Sequence, residues 1–173
     1  MNYEKIIKSI KSKKGKFNGK ELDYVLKALD SENSEHKEID WLLNFEESFA
    51  KTVGSKYSIA VNSGTSGLHA ALFAAGISEG DEVIQPALTV IMDAYATIHL
   101  GGVPVFVDSD KSSWNIDPDL IESKITKKTK AILTVSWFGL PVNMEPIMKI
   151  AKKHNLLVID DSAETFHAYY KTQ

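Results

Sequence analysis

Two short runs hold most of the groups that could do chemistry. The first is Asn62 to Gly67, NSGTSG, between an apolar stretch and a helical pattern. Gly64 and Gly67 let backbone come close to a ligand. A helix start offers unpaired amides and the positive end of the helix dipole. Thr65 and Ser66 add hydroxyls, so the run can cradle a phosphate without a guanidinium. That matters because all 20 basic residues are lysine, and the planar fork of arginine is missing. The run is neither GxxxxGK[ST] nor GxGxxG, which weakens an ATP or NAD reading. An ordinary Ser/Thr-capped helix would use the same residues. The second run is Asp160 to Glu164, DDSAE, after the apolar LLVI. An acid there can hold a cation, pair with a protonated ring nitrogen, or cap the next turn. A metal needs further ligands, which Asp108 and Asp110 would have to supply, so Mg²⁺ stays open. Against a pyridinium nitrogen, one carboxylate keeps the ring protonated as an electron sink, and the ion pair favours the charged carboxylate. Taken together, the cradle and the acid suit the two ends of a phosphorylated heterocycle.

The elements that must position these runs are legible in the apolar spacing. Leu22, Val25, Leu26 and Leu29 have helical spacing, as do Trp41, Leu42, Phe45 and Phe49, with Gly54 as a stop. Ile6, Ile7 and Ile10 suggest an N-terminal amphipathic helix among lysines, and residues 31–40 read as a polar loop. From Lys56 onward, strands (KYSIAV, DEVIQ, VPVFVDSD, TKAILTVSWFG, LLVIDDSAE) alternate with helices, and Asp117 and Pro118 mark one helix start. Short apolar strands alternating with helices predict an α/β fold, a mostly parallel sheet with helices on both faces. Ligands in such sheets sit at the carboxyl ends of the strands, where both runs fall. The expected division is a helical segment over residues 1–50 and an α/β domain over 51–173.

Composition narrows the classes. Net charge is -3 and pI near 6.0, so no basic field points to nucleic acid. Cysteine is absent, which removes disulfides, thiolate nucleophiles and Cys-zinc sites and fits a cytoplasmic location. No run of about 18 apolar residues predicts a membrane span. His69 and His99 lack metal-ligand spacing, and no metal is expected. Trp137 and Phe138 read as an aromatic pair over the sheet edge that could also border a substrate. Trp114 and Asn115 read as a surface connection. Trp41, Phe45 and Phe49 read as helix packing.

The ordered series FNGKELDYVLKALDSE, FEESFAKTVGSKYSIAVNSGTSGLHAAL, GISEGDEVIQPALTVIMDAYATIHLGGVPVFVDSD, NIDPDLIESKITKKTKAIL and FGLPVNMEPIMKIAKKHNLLVIDDSAE resembles the DegT/StrS family of nucleotide-sugar aminotransferases. The resemblance implies the large domain of the fold type I transferases and pyridoxal 5'-phosphate (PLP) as cofactor. It places Gly64, Thr65 and Ser66 at the cofactor phosphate, Asp161 at the pyridine nitrogen, Ala163 against the ring and Glu164 near the ring hydroxyl, with Asp160 structural. It implies a nucleotide-sugar substrate, an amino donor such as glutamate, and a homodimer. Three positions depart from the family pattern: Val90 stands where an aromatic often stacks on the ring, His167 where glycine is common, and Ser136 where many relatives carry histidine.

By the same resemblance, the Schiff-base lysine and a small C-terminal domain follow the DxAE segment. Lys171 matches an ordinary lysine, so no catalytic lysine is expected within these 173 residues, and little transaminase activity is expected of them alone. Keto-sugar dehydratases related to the family, a non-catalytic dimerising module and a Mg²⁺ phosphotransfer domain built on Asp108, Asp110, Asp160 and Asp161 are the alternatives.

Overall fold

The computed structural model describes residues 20–30, 40–166 and 168–169. The helix expected around Ile6, the loop at 31–39, His167 and Lys171 lie outside the described residues. The chain divides into two compact units, Met1–Ala60 and Val61–Gln173, and each is described by itself.

In the first unit, α1 (Glu21–Asp30) and α2 (Trp41–Val53) follow the predicted spacing. Asp40 caps α2 by accepting the Leu43 amide at 2.9 Å. Gly54, at φ 71, closes α2 with its N–H on the Ala50 carbonyl. Trp41 meets Tyr24 edge-on at 6.2 Å. The expected inward face is only partly inward: Ala50 is buried, while Leu42 and Phe45 are 58% and 56% exposed. Val25 and Leu29 of α1 are also exposed. Two helices of this length carry more apolar stripe than they can cover for each other. The strand expected through Lys56–Val61 does not form. Ile59 is exposed, and the Ala60 amide donates to the Glu46 carboxylate at 2.7 Å rather than to a neighbouring strand.

The second unit runs α3 (Gly64–Ala74), β1 (Glu82–Pro86), α4 (Ile91–Ile98), β2 (Val103–Val107), α5 (Pro118–Ile121), β3 (Thr129–Val135), α6 (Met144–His154) and β4 (Leu157–Asp161). The strands form one sheet in the order β2-β1-β3-β4, and every pairing is parallel. As expected, Asp117 caps α5 and Pro118 occupies its first turn. Pro86 lacks the N–H a ladder needs, and it ends β1 after the pairing with β3 has stopped at Ile84.

Strand alternation sorts the core into two layers. Val83, Ala131, Leu133 and Val135 turn to one face and pack with Leu68 and Leu72 of α3 and Ala96 of α4, with Ile159 of β4 against them. Ile84, Val107 and Ile132 turn to the other face and pack with Ile121 of α5 and Ile147 and Ala151 of α6. Helices thus cover both faces, as the uninterrupted apolar strands predict.

Candidate functional site

After β1 the chain turns outward to β2, then returns past β1 to β3. The reversal lies between β1 and β3, and in parallel sheets a ligand crevice opens there beyond the strand ends. The parity of β4 decides which acid faces which layer. Ile159 packs on the α3/α4 layer and Val158 on the opposite one. Asp161 therefore shares the α3/α4 face and Asp160 the other. Asp160 is spent there: its carboxylate accepts the Thr134 hydroxyl at 2.6 Å and also the Ser162 hydroxyl. Asp161 keeps an exposed side and accepts the Ala163 amide at 3.0 Å.

α3 packs against both α4 and β4, so its N-terminal turn and the end of β4 belong to touching elements. Ser63 caps α3, its hydroxyl accepting the Ser66 amide at 3.2 Å. The Ser66 hydroxyl donates to the Asn62 side chain at 2.7 Å, and the Gly67 amide reaches the Ser63 carbonyl at 3.1 Å. Ser66 thus stiffens the turn with both its donors. The amides of Gly64 and Thr65 remain without an intrahelical acceptor. A Cβ placed at Gly64 would meet nothing within 4 Å, so no neighbouring atom crowds the side-chain side of this glycine.

Behind Asp161 stands an acid that the motifs did not flag. Asp93 of α4 is 0% exposed. One of its carboxylate oxygens accepts the Thr89 hydroxyl, and the other is enclosed without a donor. Burial, opposed by the Thr89 bond and reinforced by the adjacent Asp161 carboxylate, pushes the Asp93 carboxyl up to about 6. One turn on, the buried Thr97 hydroxyl lies 3.4 Å from Gln85 Oε1 of β1, whose amide nitrogen also lacks a partner. The sequence signal was the spacing Thr89, Asp93, Thr97, a polar row four residues apart on the helix face that should be apolar.

Glu164, expected near a ring hydroxyl, accepts the Phe138 amide at 2.7 Å through Oε2. That bond holds a tight turn, Trp137–Gly139, in which Phe138 has φ 53. The aromatic pair divides: Trp137 packs on the α3/α4 layer, while Phe138 is 74% exposed. Asn115 corrects the surface assignment. It is buried, donates to the Leu140 carbonyl at 3.0 Å and accepts the Trp137 amide at 2.8 Å. A buried amide that joins two distant backbone groups reads as polar surface in sequence because its partners lie 22 and 25 residues away. Trp114 is exposed as expected. Ser136 is buried and accepts the Val142 amide at 3.3 Å. Val90 precedes α4 without a side-chain cap.

The Mg²⁺ alternative meets a topological obstacle. Asp108 and Asp110 follow β2, and β1 and β3 stand between that strand and β4, which separates the two acid pairs by about 14 Å. Asp110 is occupied locally: bonds from the Ser112 hydroxyl and from the Ser113 amide and hydroxyl lower its carboxyl to about 2. Among the described residues no three Asp, Glu, His or Cys side chains gather as a metal site. No helix among them is long and apolar enough to cross a membrane.

The donor set fits a ligand with an anionic end and a cationic ring: helix N-terminal amides without an intrahelical acceptor, and a part-exposed carboxylate backed by a buried acid with one oxygen lacking a donor. Comparison with known proteins agrees with that reading. Residues 16–173 match the DegT/DnrJ/EryC1/StrS aminotransferase family. GDP-perosamine synthase of Escherichia coli O157:H7 is 47% identical over 153 residues, 88% of this chain and 42% of that protein. The aminotransferase from Psychrobacter cryohalolentis superposes with a TM-score of 0.83 at 39% identity, covering 92% of this chain and 40% of its own. E. coli GDP-4-keto-6-deoxy-D-mannose-3-dehydratase with bound hydrated PLP gives 0.81 at 30% identity, over 92% and 42%. The chain spans less than half the length of these relatives.

Proposed function

The chain belongs to the DegT/DnrJ/EryC1/StrS aminotransferase family, whose structural neighbours are PLP-dependent, and from that premise we propose that it is the cofactor-binding portion of an enzyme transferring an amino group to nucleotide-linked keto-sugars. One observation carries the reading: the part-exposed acid of β4, Asp161, faces the same layer as α3, whose first amides have no intrahelical acceptor. In this reading residues 51–173 belong to the cofactor domain and residues 1–50 precede it. The bare apolar stripes of α1 and α2 support a homodimer.

The Gly64 and Thr65 amides bind the cofactor phosphate, helped by the helix dipole. Ser63 and Ser66 fix the turn so that those amides point outward. Asp161 holds the ring nitrogen in its protonated form, with Ala163 and Glu164 following beside it. Bound there, the pyridine ring supplies an electron sink for carbanion chemistry. Glu164 acts from the second side by fixing the Trp137–Gly139 turn. The likeness to a keto-sugar dehydratase at a TM-score of 0.81 favours a second reading in which the same cradle and acid serve dehydration.

Pyridoxamine 5'-phosphate and inorganic phosphate, titrated calorimetrically, separate the two ends of the site. Asp161→Asn is expected to weaken the pyridoxamine compound roughly ten- to hundredfold, the worth of a charge-assisted hydrogen bond, and to leave phosphate binding unchanged. Equal affinity of both proteins for the pyridoxamine compound would refute the assignment of Asp161.

A further inference from the structure

Asp93 has no place in the site as drawn so far, yet its position is hard to explain as packing. A buried carboxyl ordinarily finds donors for both oxygens. Asp93 has one hydroxyl donor, Thr89, and an unpartnered oxygen beside another acid. Two carboxyl groups in contact, one of them dry, do not both ionise easily. A proton between them turns the repulsion into a hydrogen bond.

Among the described residues the surroundings offer no cation to replace that proton. Asp93 is flanked by Thr89, just before its helix, and by Thr97 one turn on. β1 presents Gln85, a neutral amide, while Glu82 at the far end of that strand is bonded to Thr126 and Thr129. β2, Val103–Val107, carries no ionisable side chain. α3 contributes His69, whose ring lies 6.4 Å from that of His99 at the other end of α4, and His99 is stacked on the exposed Tyr95. β4 presents Asp161, the charge that acts on Asp93. Among the described residues no lysine acts on the Asp93 carboxyl.

We propose that Asp93 is a positioning residue that shares a proton with Asp161, and that a protonated pyridine ring arriving at Asp161 displaces this proton to solvent. The inference deepens the cofactor reading and rests on it for the identity of the ring. Before the ring binds, the proton lets Asp161 stand beside a buried acid without like-charge repulsion, and orients its carboxylate along the shared bond. The incoming ring supplies a positive charge on the open side of Asp161. The pair then tolerates two negative charges, and the proton leaves for water. Binding and proton release are linked, so affinity rises with pH through the range in which the free pair loses its proton.

The test compares the unaltered chain with Asp93→Asn and Asp93→Ser, reading the affinity for pyridoxamine 5'-phosphate by calorimetry at pH 5 and pH 8. This compound binds without a covalent bond to the protein, and its own phosphate titration cancels in the ratio between chains. An opposite charge in contact moves a carboxyl by at least about one pH unit. The unaltered chain is therefore expected to gain about tenfold or more over either variant between pH 5 and pH 8. A structural role alone would weaken the variants by the same factor at both pH values, and that result overturns the proposal. In parallel, a ¹³C-carboxyl NMR titration of the ligand-free chain is expected to show a carboxyl step above the ordinary range that disappears in Asp93→Asn. Retention of that step overturns the shared proton even if binding is pH-dependent. If the compound binds none of the chains at either pH, the cofactor reading itself fails. If it binds all of them with one pH profile, the cofactor reading stands and the role of Asp93 falls.

Discussion

Replacing Asp93 with asparagine should stabilise the ligand-free fold at neutral pH and do little for it in acid. Asparagine keeps the shape, its carbonyl can accept the Thr89 hydroxyl, and its amide can donate to Asp161, so the geometry of the pair survives while its ionisation does not. In the folded chain the Asp93 carboxyl titrates at about 6 against an ordinary 3.8. The folded state therefore holds the proton more tightly than the unfolded state. Well below pH 4 both states are protonated and the acid is neutral in its effect. Between about pH 4 and pH 6 the unfolded chain ionises first, and stability falls as pH rises. Above that window the loss is complete, at about 3 kcal/mol. The assay is urea denaturation of both proteins at pH 4 and pH 8, followed by tryptophan fluorescence. The stability difference, Asp93→Asn minus the unaltered chain, is expected to be larger at pH 8 than at pH 4 by about 2 kcal/mol, since an unfolded carboxyl is already more than half ionised at pH 4. Any change in packing enters both measurements equally and drops out of that comparison. A difference that is the same at both pH values, or larger in acid, would refute the raised carboxyl and with it the account of why this acid is buried.

Two further substitutions probe the supports around the site. Asn115→Ala removes the bonds to Leu140 and Trp137 and leaves two backbone groups short of partners. A loss of about 2–4 kcal/mol in urea denaturation is expected, and a loss below about 0.5 kcal/mol would return Asn115 to the surface. Gly101→Ala places a Cβ 3.0 Å from the Glu79 Cα at a residue with φ +77. Both strain and backbone contact oppose it, and the melting temperature is expected to fall by several degrees, corresponding to about 1 kcal/mol or more.

Sequence and structure part company where a residue's partners are distant or missing. The β-α alternation, the cap at Asp117 and the stop at Gly54 are local matters, decided by neighbours within one turn, and the sequence announces them. KYSIAV carries an equally good local signal and forms no strand, because a strand exists only beside another. Asn115 looks like an exposed polar residue, and only the fold brings the 137–140 turn to it and to Glu164. The stripe on α2 predicts burial that the described residues supply only in part: Ala50 is buried, while Leu42 and Phe45 stay exposed.

The acids at the end of β4 show how much a one-residue difference settles. Asp160 and Asp161 are adjacent and chemically identical, and no motif logic internal to the pair separates them. The separation comes from the period of two. Val158 and Ile159 are committed to opposite core layers, so the acids that follow are committed as well. Asp160 turns to the Thr134 side, where hydroxyl donors satisfy it. Asp161 turns to the α3/α4 side, where among the described residues its ionisable neighbour is another acid, Asp93. Burying Asp93 there leaves a negative site whose satisfaction must come from a proton or from a bound cation. A site that lacks internal compensation is costly to fold and ready to bind, and that is the physical sense in which the α3/α4 face, rather than the better-satisfied one, is the functional face of this sheet.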